Sequence, residues 1–359
     1  MIKVSEPYFN EEEINAVTAV LRSGQIAQGP KVQEFEEKFA KLCNVKYAVA
    51  VNNGTSALHA ALSSVGIQEG DEVITTPFTF IATANAILMC GAKPVFADVH
   101  EDTFNIDPEK VKEKITDKTK AILVVDLYGQ PADYKNLRKI SNEHNLVLIE
   151  DACQSINAEL EGIKAGALGD LAVFSFYATK NITTGEGGII TTNNKQYSDM
   201  MKSFRFHSRI SNEYEHSGVG YNYRMTDIAA ALGIVQLSKL DEITNKRILN
   251  AKYFTEQLKD VVSVPVAKPN CKHVFHQYTI KVDEKIRDKL VALLAANDIG
   301  CGIFYPKPVH LQSHFLARGY KSGDFPVAEK LSKTVISLPV QPKLTKQELD
   351  KIVSVIHSI

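Results

Sequence analysis

The sequence lacks the features of a membrane protein and of a nucleic-acid-binding protein. No apolar run reaches the ~18 residues that suggest a membrane span, and the first residues, 1–7, lack the long apolar core of a signal peptide. The 41 basic and 42 acidic side chains leave a formal net charge of −1, which gives no electrostatic case for nucleic acid or an anionic membrane. We therefore expect neither partner, and any phosphate site must be local.

Nucleotide loops and metal-ligand motifs are also missing. Neither G-x-x-x-x-G-K-[ST] nor G-x-G-x-x-G occurs. The five cysteines are odd in number and never stand in a C-x-x-C spacing, which argues against a disulfide framework or a zinc site. The histidine pairs His273–His276 and His310–His314 lack the glutamate of a zinc-protease helix. We expect no bound metal and a cytoplasmic location.

The order of apolar runs predicts an α/β fold. Short apolar strands alternate with helices, which is typical of a mainly parallel sheet covered on both faces. The predicted strands are 47–51, 72–75, 94–97, 121–125, 146–149, 171–176 and 188–191. The helices predicted between them are 56–65, 81–90, 108–115 and 134–144.

The character of the chain changes near residue 240. The later pattern predicts a long helix over 241–259, a strand near 277–282 and helices over 285–297 and 346–356. A chain of 359 residues is long enough for two domains. We predict a large α/β domain at 10–240 and a smaller α+β domain at 241–359, which residues 1–9 join.

One stretch, residues 174–188, combines a predicted strand end with a lysine and a glycine-rich turn. A lysine just past a buried strand, as Lys180 is, is partly desolvated, which lowers its pKa and frees a neutral amine for Schiff-base chemistry. The glycines allow a close approach to a bound group, and Ser175 is placed to add a hydroxyl. Taken alone, the stretch favours an ordinary surface lysine in a turn, so the rest of the chain must decide.

A second stretch, residues 51–56, lies between a predicted strand and a predicted helix. Helix N-termini expose free N–H groups and the positive end of the helix dipole, so they hold phosphate well. Gly54 allows close approach and Thr55 adds a hydroxyl. A capped helix start without a ligand is an equally good interpretation of this segment alone.

Acidic residues follow the strand predicted over 146–149. Glu150 and Asp151 stand at the carboxyl end of that strand, the edge at which open parallel sheets bind ligands. A buried carboxylate needs a cationic partner, and a protonated ring nitrogen supplies one. Gln154 is then placed to reach a neighbouring phenolic oxygen. Helix capping by Asp151 is the commoner use of such a residue.

Two phenylalanines follow the strand predicted over 72–75. An aromatic side chain at this strand end, such as Phe80, can stack on a planar ring. Core packing is the alternative, and we prefer it for Phe78.

Together these stretches resemble the DegT/StrS-type sugar aminotransferases, which are fold-type I enzymes dependent on pyridoxal phosphate. The similarity extends over nearly the whole chain, from about Pro7 to Val353. Six segments carry it in order: Asn53-Gly-Thr55, Pro77-Phe-Thr-Phe80, Glu150-Asp-Ala-Cys-Gln154, Ser175 with Lys180 five residues later, Thr184-Gly-Glu-Gly-Gly188 and Gly220-Tyr-Asn-Tyr-Arg-Met225. One of these alone is a weak signal, whereas all six in order are specific.

The resemblance implies a role for each matching residue. It implies that Lys180 holds pyridoxal phosphate as a Schiff base and shuttles a proton, and that Asp151 pairs with the pyridinium nitrogen. Gln154 is implied to lie near the phenolic oxygen of the cofactor, and Phe80 to stack on its ring. The phosphate contacts implied are Gly54, Thr55 and Ser175, with Asn222 reaching across the interface of a homodimer that shares its active sites.

Lys180 also separates two reactions of related proteins. Sugar 3-dehydrases of similar sequence carry histidine at this position, whereas transamination needs the lysine as base and Schiff-base partner. We therefore predict an aminotransferase. The resemblance implies that an amino acid, glutamate, gives its amino group to a keto sugar linked to a nucleoside diphosphate, for glycan or polysaccharide synthesis.

The most detailed of these predictions concerns which carbon of the sugar is aminated. The segments 305–312 and 337–339 are similar to those of members that aminate C3, so we place C3 above C4. Arg224, Tyr305 and His310 are candidate substrate contacts, with packing or interface roles as the alternative. The Arg-Asn-His-Gly element frequent in the family reads Arg205-Phe-His-Ser208 here, which is a departure in the substrate loop.

Two other functions stay open at this point. One is a different reaction on the same cofactor, or amination of a free sugar or cyclitol. The other is a catalytically silent regulator. The presence of Lys180, Asp151 and Gln154 argues against a silent protein.

Overall fold

The computed structural model describes residues 1–210 and 214–359 and shows an α/β protein. Its helices are α1 (Glu11–Ser23), α2 (Pro30–Cys43), α3 (Gly54–Ser64), α4 (Ala82–Met89), α5 (Pro108–Lys112), α6 (Tyr134–Glu143), α7 (Lys195–Phe204), α8 (Asp227–Ser238), α9 (Leu240–Leu258), α10 (Glu284–Ala296), α11 (Ser313–Leu316), α12 (Pro326–Thr334) and α13 (Lys346–His357). Its strands are β1 (Tyr47–Val51), β2 (Glu72–Thr75), β3 (Lys93–Phe96), β4 (Thr119–Val125), β5 (Val147–Asp151), β6 (Glu159–Leu160), β7 (Ile163–Lys164), β8 (Leu171–Ser175), β9 (Gly188–Thr192), β10 (Cys271–Lys272), β11 (Tyr278–Lys281) and β12 (Val335–Leu338).

The central sheet has seven strands in the order β1-β9-β8-β5-β4-β2-β3. The strands from β8 to β3 in this order are mutually parallel, whereas β9 is antiparallel to both β1 and β8. The reversal has a simple cause: a loop, and not a crossover helix, joins β8 to β9, so the chain returns beside β8 in the opposite direction. The predicted seven-stranded, mainly parallel sheet is confirmed.

Helices cover both faces of this sheet. On one face Phe39 of α2 packs on Phe174 with ring centroids 4.9 Å apart, and Phe35 packs on Phe176 at 5.2 Å. The apolar side chains of α3 cover the other face. Strands enclosed in this way are continuous apolar runs, which is why the sequence pattern located them within two residues.

Strand register brings several loops to one edge. Val125 lies beside Asp151, and Asp151 lies beside Val173 on the next strand. The loops that follow β4, β5 and β8 therefore leave the sheet together. This is the carboxyl edge, at which open parallel sheets bind ligands.

The carboxyl-terminal part of the chain builds a second core. The antiparallel pair β11–β12 packs with α9, α10 and α13. The N–H of Ile2 donates to the carbonyl of Asp298 at 2.7 Å, so the first residues join this core. Leu240 at the start of α9 packs with the large sheet, whereas Phe254 packs in the second core. The packing supports a division near residue 240, and the exact domain bounds stay a prediction.

Two kinds of feature are not found in the described part of the chain. No group of three or more His, Cys, Asp or Glu side chains there is arranged to hold a metal ion. None of its helices combines the length and the apolar character needed to cross a membrane.

Asp227, the first residue of α8, is hydrogen-bonded to the start of α2. Its carboxylate is 1% exposed and accepts from the N–H groups of Gly29 at 2.8 Å, Val32 at 3.0 Å and Lys31 at 3.2 Å. Gly29, the N-cap residue of α2, has no side chain to fill this role. The carboxylate thus satisfies N–H groups at the positive end of the helix dipole.

We expect Asp227→Ala to lower the free energy of unfolding by about 2 kcal/mol, because three N–H groups lose their acceptor and the helix start loses a negative charge. Urea unfolding followed by circular dichroism measures the change. Asp283→Ala is the matched control, since the exposed Asp283 caps α10 through the single N–H of Lys285. Equal losses in the two variants would contradict this role of Asp227.

Candidate active site

Lys180 lies in the loop between β8 and β9. Its N–H donates to the carbonyl of Tyr177 at 2.9 Å, and the N–H of Thr184 donates to the carbonyl of Phe176 at 3.0 Å. Gly185 has a φ of +81°, in the left-handed region that favours glycine, so the chain can turn back into β9 there. Lys180 is therefore held by a closed turn at the carboxyl edge of the sheet.

Lys180 is half-buried at the sheet edge. Desolvation lowers the pKa of its ammonium group, while nearby Cys153 and Asp151 act in the opposite direction. A lower pKa enlarges the fraction of neutral amine, and the neutral amine is the nucleophile in Schiff-base formation. Asp151 is therefore close enough to Lys180 to act on its pKa.

Asp151 ends β5 and is only 4% exposed. Its Oδ2 accepts from the hydroxyl of Thr83 at 2.9 Å, and its Oδ1 accepts from the N–H of Cys153 at 3.3 Å. Within residues 1–210 and 214–359, this carboxylate forms no ion pair. A buried carboxylate without a cation is costly, so a positive group on a ligand is its natural partner.

The hydrogen bonds of Gln154 decide which way its amide points. Its Oε1 accepts from the N–H of Tyr128 at 2.9 Å, so Nε2 faces the other way. Nε2 donates to the hydroxyl of Tyr305 at 3.2 Å. Because an amide NH₂ group has two hydrogens, the second is available to an acceptor on a ligand.

Tyr305 comes from the carboxyl-terminal part and faces the two phenylalanines that follow β2. Its ring centroid lies 6.2 Å from that of Phe78 and 6.4 Å from that of Phe80. Phe78 is fully buried, which confirms its predicted core role, whereas Phe80 is 57% exposed and has a face free for a planar ligand. Desolvation raises the pKa of Tyr305 well above its ordinary value, so its hydroxyl keeps its proton.

The start of α3 lies against the end of β8. A Cβ atom on Gly54 would lie 2.9 Å from the Cβ of Ser175, so only glycine allows this approach. Asn53 accepts from the N–H of Ser56 at 2.8 Å, which leaves the N–H groups of Gly54 and Thr55 for another acceptor. These two groups and the hydroxyl of Ser175 form the kind of cradle that binds phosphate.

Asn222 and Arg224 lie beside the end of β1. Arg224 forms a β-bridge with Val51, and its guanidinium lies 4.4 Å above the ring of Phe206. Arg224 is therefore engaged with an aromatic side chain of its own chain. Asn222 is exposed, as a role across a dimer interface requires, and that role stays a prediction.

The structure places His310 in the core. Its side chain is 0% exposed, its Nε2 lies 3.1 Å from Oε1 of Glu329, and its ring packs on Phe325 at 4.7 Å. A fully buried ring offers no surface to a substrate. Packing, which was the alternative at the sequence level, is therefore the better interpretation of His310.

Glu150, the other acid of the strand end, faces away from Asp151. Neighbouring strand residues point to opposite faces of a sheet. The oxygens of Glu150 accept from the N–H groups of Gly166 at 2.9 Å and Leu168 at 3.2 Å. Burial raises the pKa of Glu150, and the nearby Asp126 adds to this rise. Glu150 thus stabilises the turn at residues 166–168. The backbone N–H groups of this turn take the place of the cation expected for a buried acid.

Three residues that shape the site were not predicted from the sequence. Thr83 donates to Asp151, Tyr128 orients Gln154, and Asp126 accepts from the hydroxyl of Ser155 at 3.1 Å. Burial raises the pKa of Asp126 to about 7. Only Asp126 left a signal in the sequence, because an acid directly after an apolar strand repeats the pattern of Asp151.

Comparison with known proteins gives one family over nearly the whole chain. The sequence profile of the DegT/DnrJ/EryC1/StrS aminotransferase family matches residues 7–357. A relative from Bacillus subtilis (strain 168), the spore coat polysaccharide biosynthesis protein SpsC, is 38% identical over 99% of this chain and 96% of its own length.

Solved structures agree with this match. Helicobacter pylori PseC, an aminotransferase involved in the biosynthesis of pseudoaminic acid, is 31% identical, covers 99% of this chain and 98% of its own, and superposes with a TM-score of 0.94. The PLP form of Spr1654 from Streptococcus pneumoniae is 28% identical, covers 99% and 98%, and has a TM-score of 0.96. Likeness over the full length of both chains confirms the predicted α/β architecture.

Proposed function

This chain belongs to the DegT/DnrJ/EryC1/StrS aminotransferase family, and from that premise we propose that it converts a nucleotide-linked keto sugar to an amino sugar. Enzymes of this family depend on pyridoxal phosphate, as this chain does. The proposed donor is an amino acid, glutamate. The proposed product serves glycan or polysaccharide synthesis, for which the name of the Bacillus subtilis relative is the support.

The placement of Lys180 beside Asp151 carries the proposal. An amine whose pKa is lowered by desolvation and a buried acid, which forms no ion pair with the described residues, share the carboxyl edge of the sheet. A regulator without catalysis has no use for this combination, because both groups cost stability when the site holds no ligand.

The residues of the site fit pyridoxal phosphate. The cofactor needs an amine, an acid and a phosphate cradle, and the structure supplies Lys180, Asp151 and the Gly54–Ser175 contact on neighbouring loops. When bound, the cofactor supplies an aldehyde for amine capture and an electron-poor ring that stabilises negative charge on the reacting carbon.

The other proposed contacts are held by the observed hydrogen bonds and exposure. Gln154 would donate its second Nε2 hydrogen to the phenolic oxygen of the cofactor, since its first is on Tyr305. Phe80 would cover one face of the ring with its exposed side. Thr55 would add its N–H to the phosphate contacts.

Lys180 is the residue suited to move the proton in transamination. Its Nζ would take the proton from the carbon of the amino acid that carries nitrogen and would hold that proton for the return transfer, while the bound cofactor would stabilise the negative charge left on that carbon. Acid–base catalysis is most efficient when the pKa of the catalytic group approaches the working pH. Desolvation at the sheet edge moves Lys180 in that direction.

For the sugar, we place amination at C3 above amination at C4. The segment 305–312 supports this choice through its similarity to that of members that aminate C3. Tyr305 is the proposed substrate contact, because its hydroxyl stands next to Gln154 and close to Phe80. His310 would act only by packing beneath this segment.

We further propose a homodimer that shares its active sites, in which the exposed Asn222 reaches the phosphate of the partner chain. A monomer would then be inactive. A cytoplasmic location is supported by the five cysteines, all of which are free thiols.

Spectroscopy and product analysis test the function. We expect the purified chain to take up pyridoxal phosphate with a visible absorption band, because a Schiff-base lysine gives one, and we expect glutamate to bleach it. Succinate, which lacks the amino group, should leave the band unchanged. The bleached protein is then mixed with UDP- and dTDP-linked 3-keto and 4-keto sugars, and the amino sugar is identified by mass spectrometry.

Three results would overturn the proposal, or one part of it, in different ways. A colourless chain that stays inert with added pyridoxal phosphate would indicate a silent regulator. A coloured chain that no amino acid bleaches would indicate a different reaction on the same cofactor. Amination of a free sugar alone would contradict the nucleotide link.

A further inference from the structure

Two buried threonine hydroxyls lie behind Asp151. Thr79 precedes α4 and is 3% exposed, and Thr83 lies in the first turn of α4 and is 2% exposed. A threonine in a helix usually bonds to a backbone carbonyl three or four residues earlier. Thr83 instead donates to Oδ2 of Asp151 at 2.9 Å, across 68 positions of sequence.

The chemistry of the groups sets the direction of these hydrogen bonds. Oδ2 of Asp151 is the acceptor, so the single hydroxyl hydrogen of Thr83 points at Asp151. The hydroxyls of Thr79 and Thr83 are 3.1 Å apart, and therefore Thr79 must be the donor between them. The result is a chain of donors from Thr79 to Thr83 to Asp151, in which each bond polarises the next.

Thr83 makes the stronger of the two contacts to this carboxylate. The other oxygen, Oδ1, accepts from the N–H of Cys153 at the longer distance of 3.3 Å. Two hydrogen bonds to different oxygens fix the rotation of the carboxylate group. A freely rotating acid would hold a protonated ring nitrogen less well.

We infer that Thr83, with Thr79 behind it, is a positioning residue that orients Asp151 toward the cofactor ring. The inference rests on the proposed function, since it concerns the acid that is to pair with pyridoxal phosphate. Neither threonine touches the reacting atoms, and both act through Asp151.

The test compares variants of the full-length chain. Thr83→Val keeps the shape of the side chain but removes the hydroxyl, whereas Thr83→Ser keeps the hydroxyl. The matched control is Thr75→Val, because Thr75 is 0% exposed and its hydroxyl donates at 2.8 Å to the carbonyl of Leu123 and not to the site. Equilibrium dialysis gives the dissociation constant of pyridoxal phosphate, and thermal melting without the cofactor checks the fold.

Thr83→Val should weaken cofactor binding on the order of ten-fold, which corresponds to the loss of one hydrogen bond to a charged group. It should also change the pH dependence of the visible band. Thr83→Ser should restore both properties, and Thr75→Val should alter neither. Thr79→Val should have a smaller effect in the same direction, and it supplies the test if Thr83→Val does not fold.

A double-mutant cycle with Asp151→Asn asks whether Thr83 acts through the acid. The effect of Thr83→Val should shrink when the charged partner is absent, and an undiminished effect would overturn the inference. So would a Thr83→Val chain that binds the cofactor as Thr75→Val does. If the unchanged chain binds no pyridoxal phosphate, the proposed function fails as well, so the two failures are distinguishable.

Discussion

Replacing Lys180 by alanine should reduce turnover by at least roughly 1,000-fold, because the change removes both the covalent anchor and the proton carrier of the site. The phosphate cradle at Gly54 and the acid Asp151 remain, so pyridoxal phosphate should still bind in part. The measurement pairs steady-state kinetics with equilibrium dialysis of the cofactor. The visible band of the cofactor should also shift, since no lysine is bonded to it.

A second variant tests whether position 180 needs a nucleophilic amine or only a positive charge. Lys180→Arg keeps a cation of similar length, but arginine is always protonated and cannot act as the nucleophile, so it should be as inactive as the alanine variant. Lys164→Ala is the control, since Lys164 is a half-buried lysine paired with Glu159 in the β6–β7 hairpin. Near-normal turnover in either Lys180 variant would remove the central assignment.

The parallel part of the fold was predictable because its signal is local. A strand covered on both faces is largely a continuous apolar run, and residues 121–125 of β4, 147–149 of β5 and 171–174 of β8 are such runs. Four of the six family segments lie at the carboxyl ends of β1, β2, β5 and β8, and a parallel sheet gathers these ends at one edge. The neighbourhood of Lys180 and Asp151 therefore followed from the order of the elements.

Short elements left no comparable signal. The strands β10, β6 and β7 have two residues each, which is too few to show an alternation of apolar and polar side chains. β6 and β7 pair locally, with Glu159 opposite Lys164, but β10 joins them across more than 100 positions, as when Cys271 lies opposite Leu160. Such pairings are a property of the folded chain and not of any window of sequence.

Side-chain direction was the other limit of the sequence. Glu150 and Asp151 are neighbouring acids, yet only one faces the site, and the sequence pattern alone did not assign their directions. His310 is polar but fully buried, because Glu329 provides a partner inside the core. Thr83 was not predicted as a site residue, because a threonine in a helix usually bonds within its own turn and not to another element.

These contacts show how the site combines two kinds of support. The large sheet places Asp151 and Lys180 by strand register, while residues after β4 and from the carboxyl-terminal part fix the amide of Gln154 through Tyr128 and Tyr305. An error in either support would misplace the ring of the cofactor. We therefore expect a variant of Asp151 to lose more activity than a variant of a residue that only supports the site.

Replacing Asp151 by asparagine should lower the turnover number on the order of 100-fold, the typical result of removing one preorganised electrostatic partner. Asparagine has the same shape and still accepts from Thr83, but it has no negative charge to hold a protonated ring nitrogen. The ring then withdraws electrons less strongly from the reacting carbon. Steady-state kinetics with glutamate should show the loss mainly in kcat, with KM changed little.

The control variant for this change is Asp170→Asn. Asp170 precedes β8 at the opposite edge of the sheet, where its carboxylate accepts from the N–H of Leu148 at 2.8 Å and pairs with Arg138 at 2.8 Å. Loss of that charge should cost stability but leave the kcat of the folded enzyme unchanged. If Asp151→Asn also kept its full rate, the carboxylate would be a structural group, and the pairing of acid and ring nitrogen would have to be abandoned.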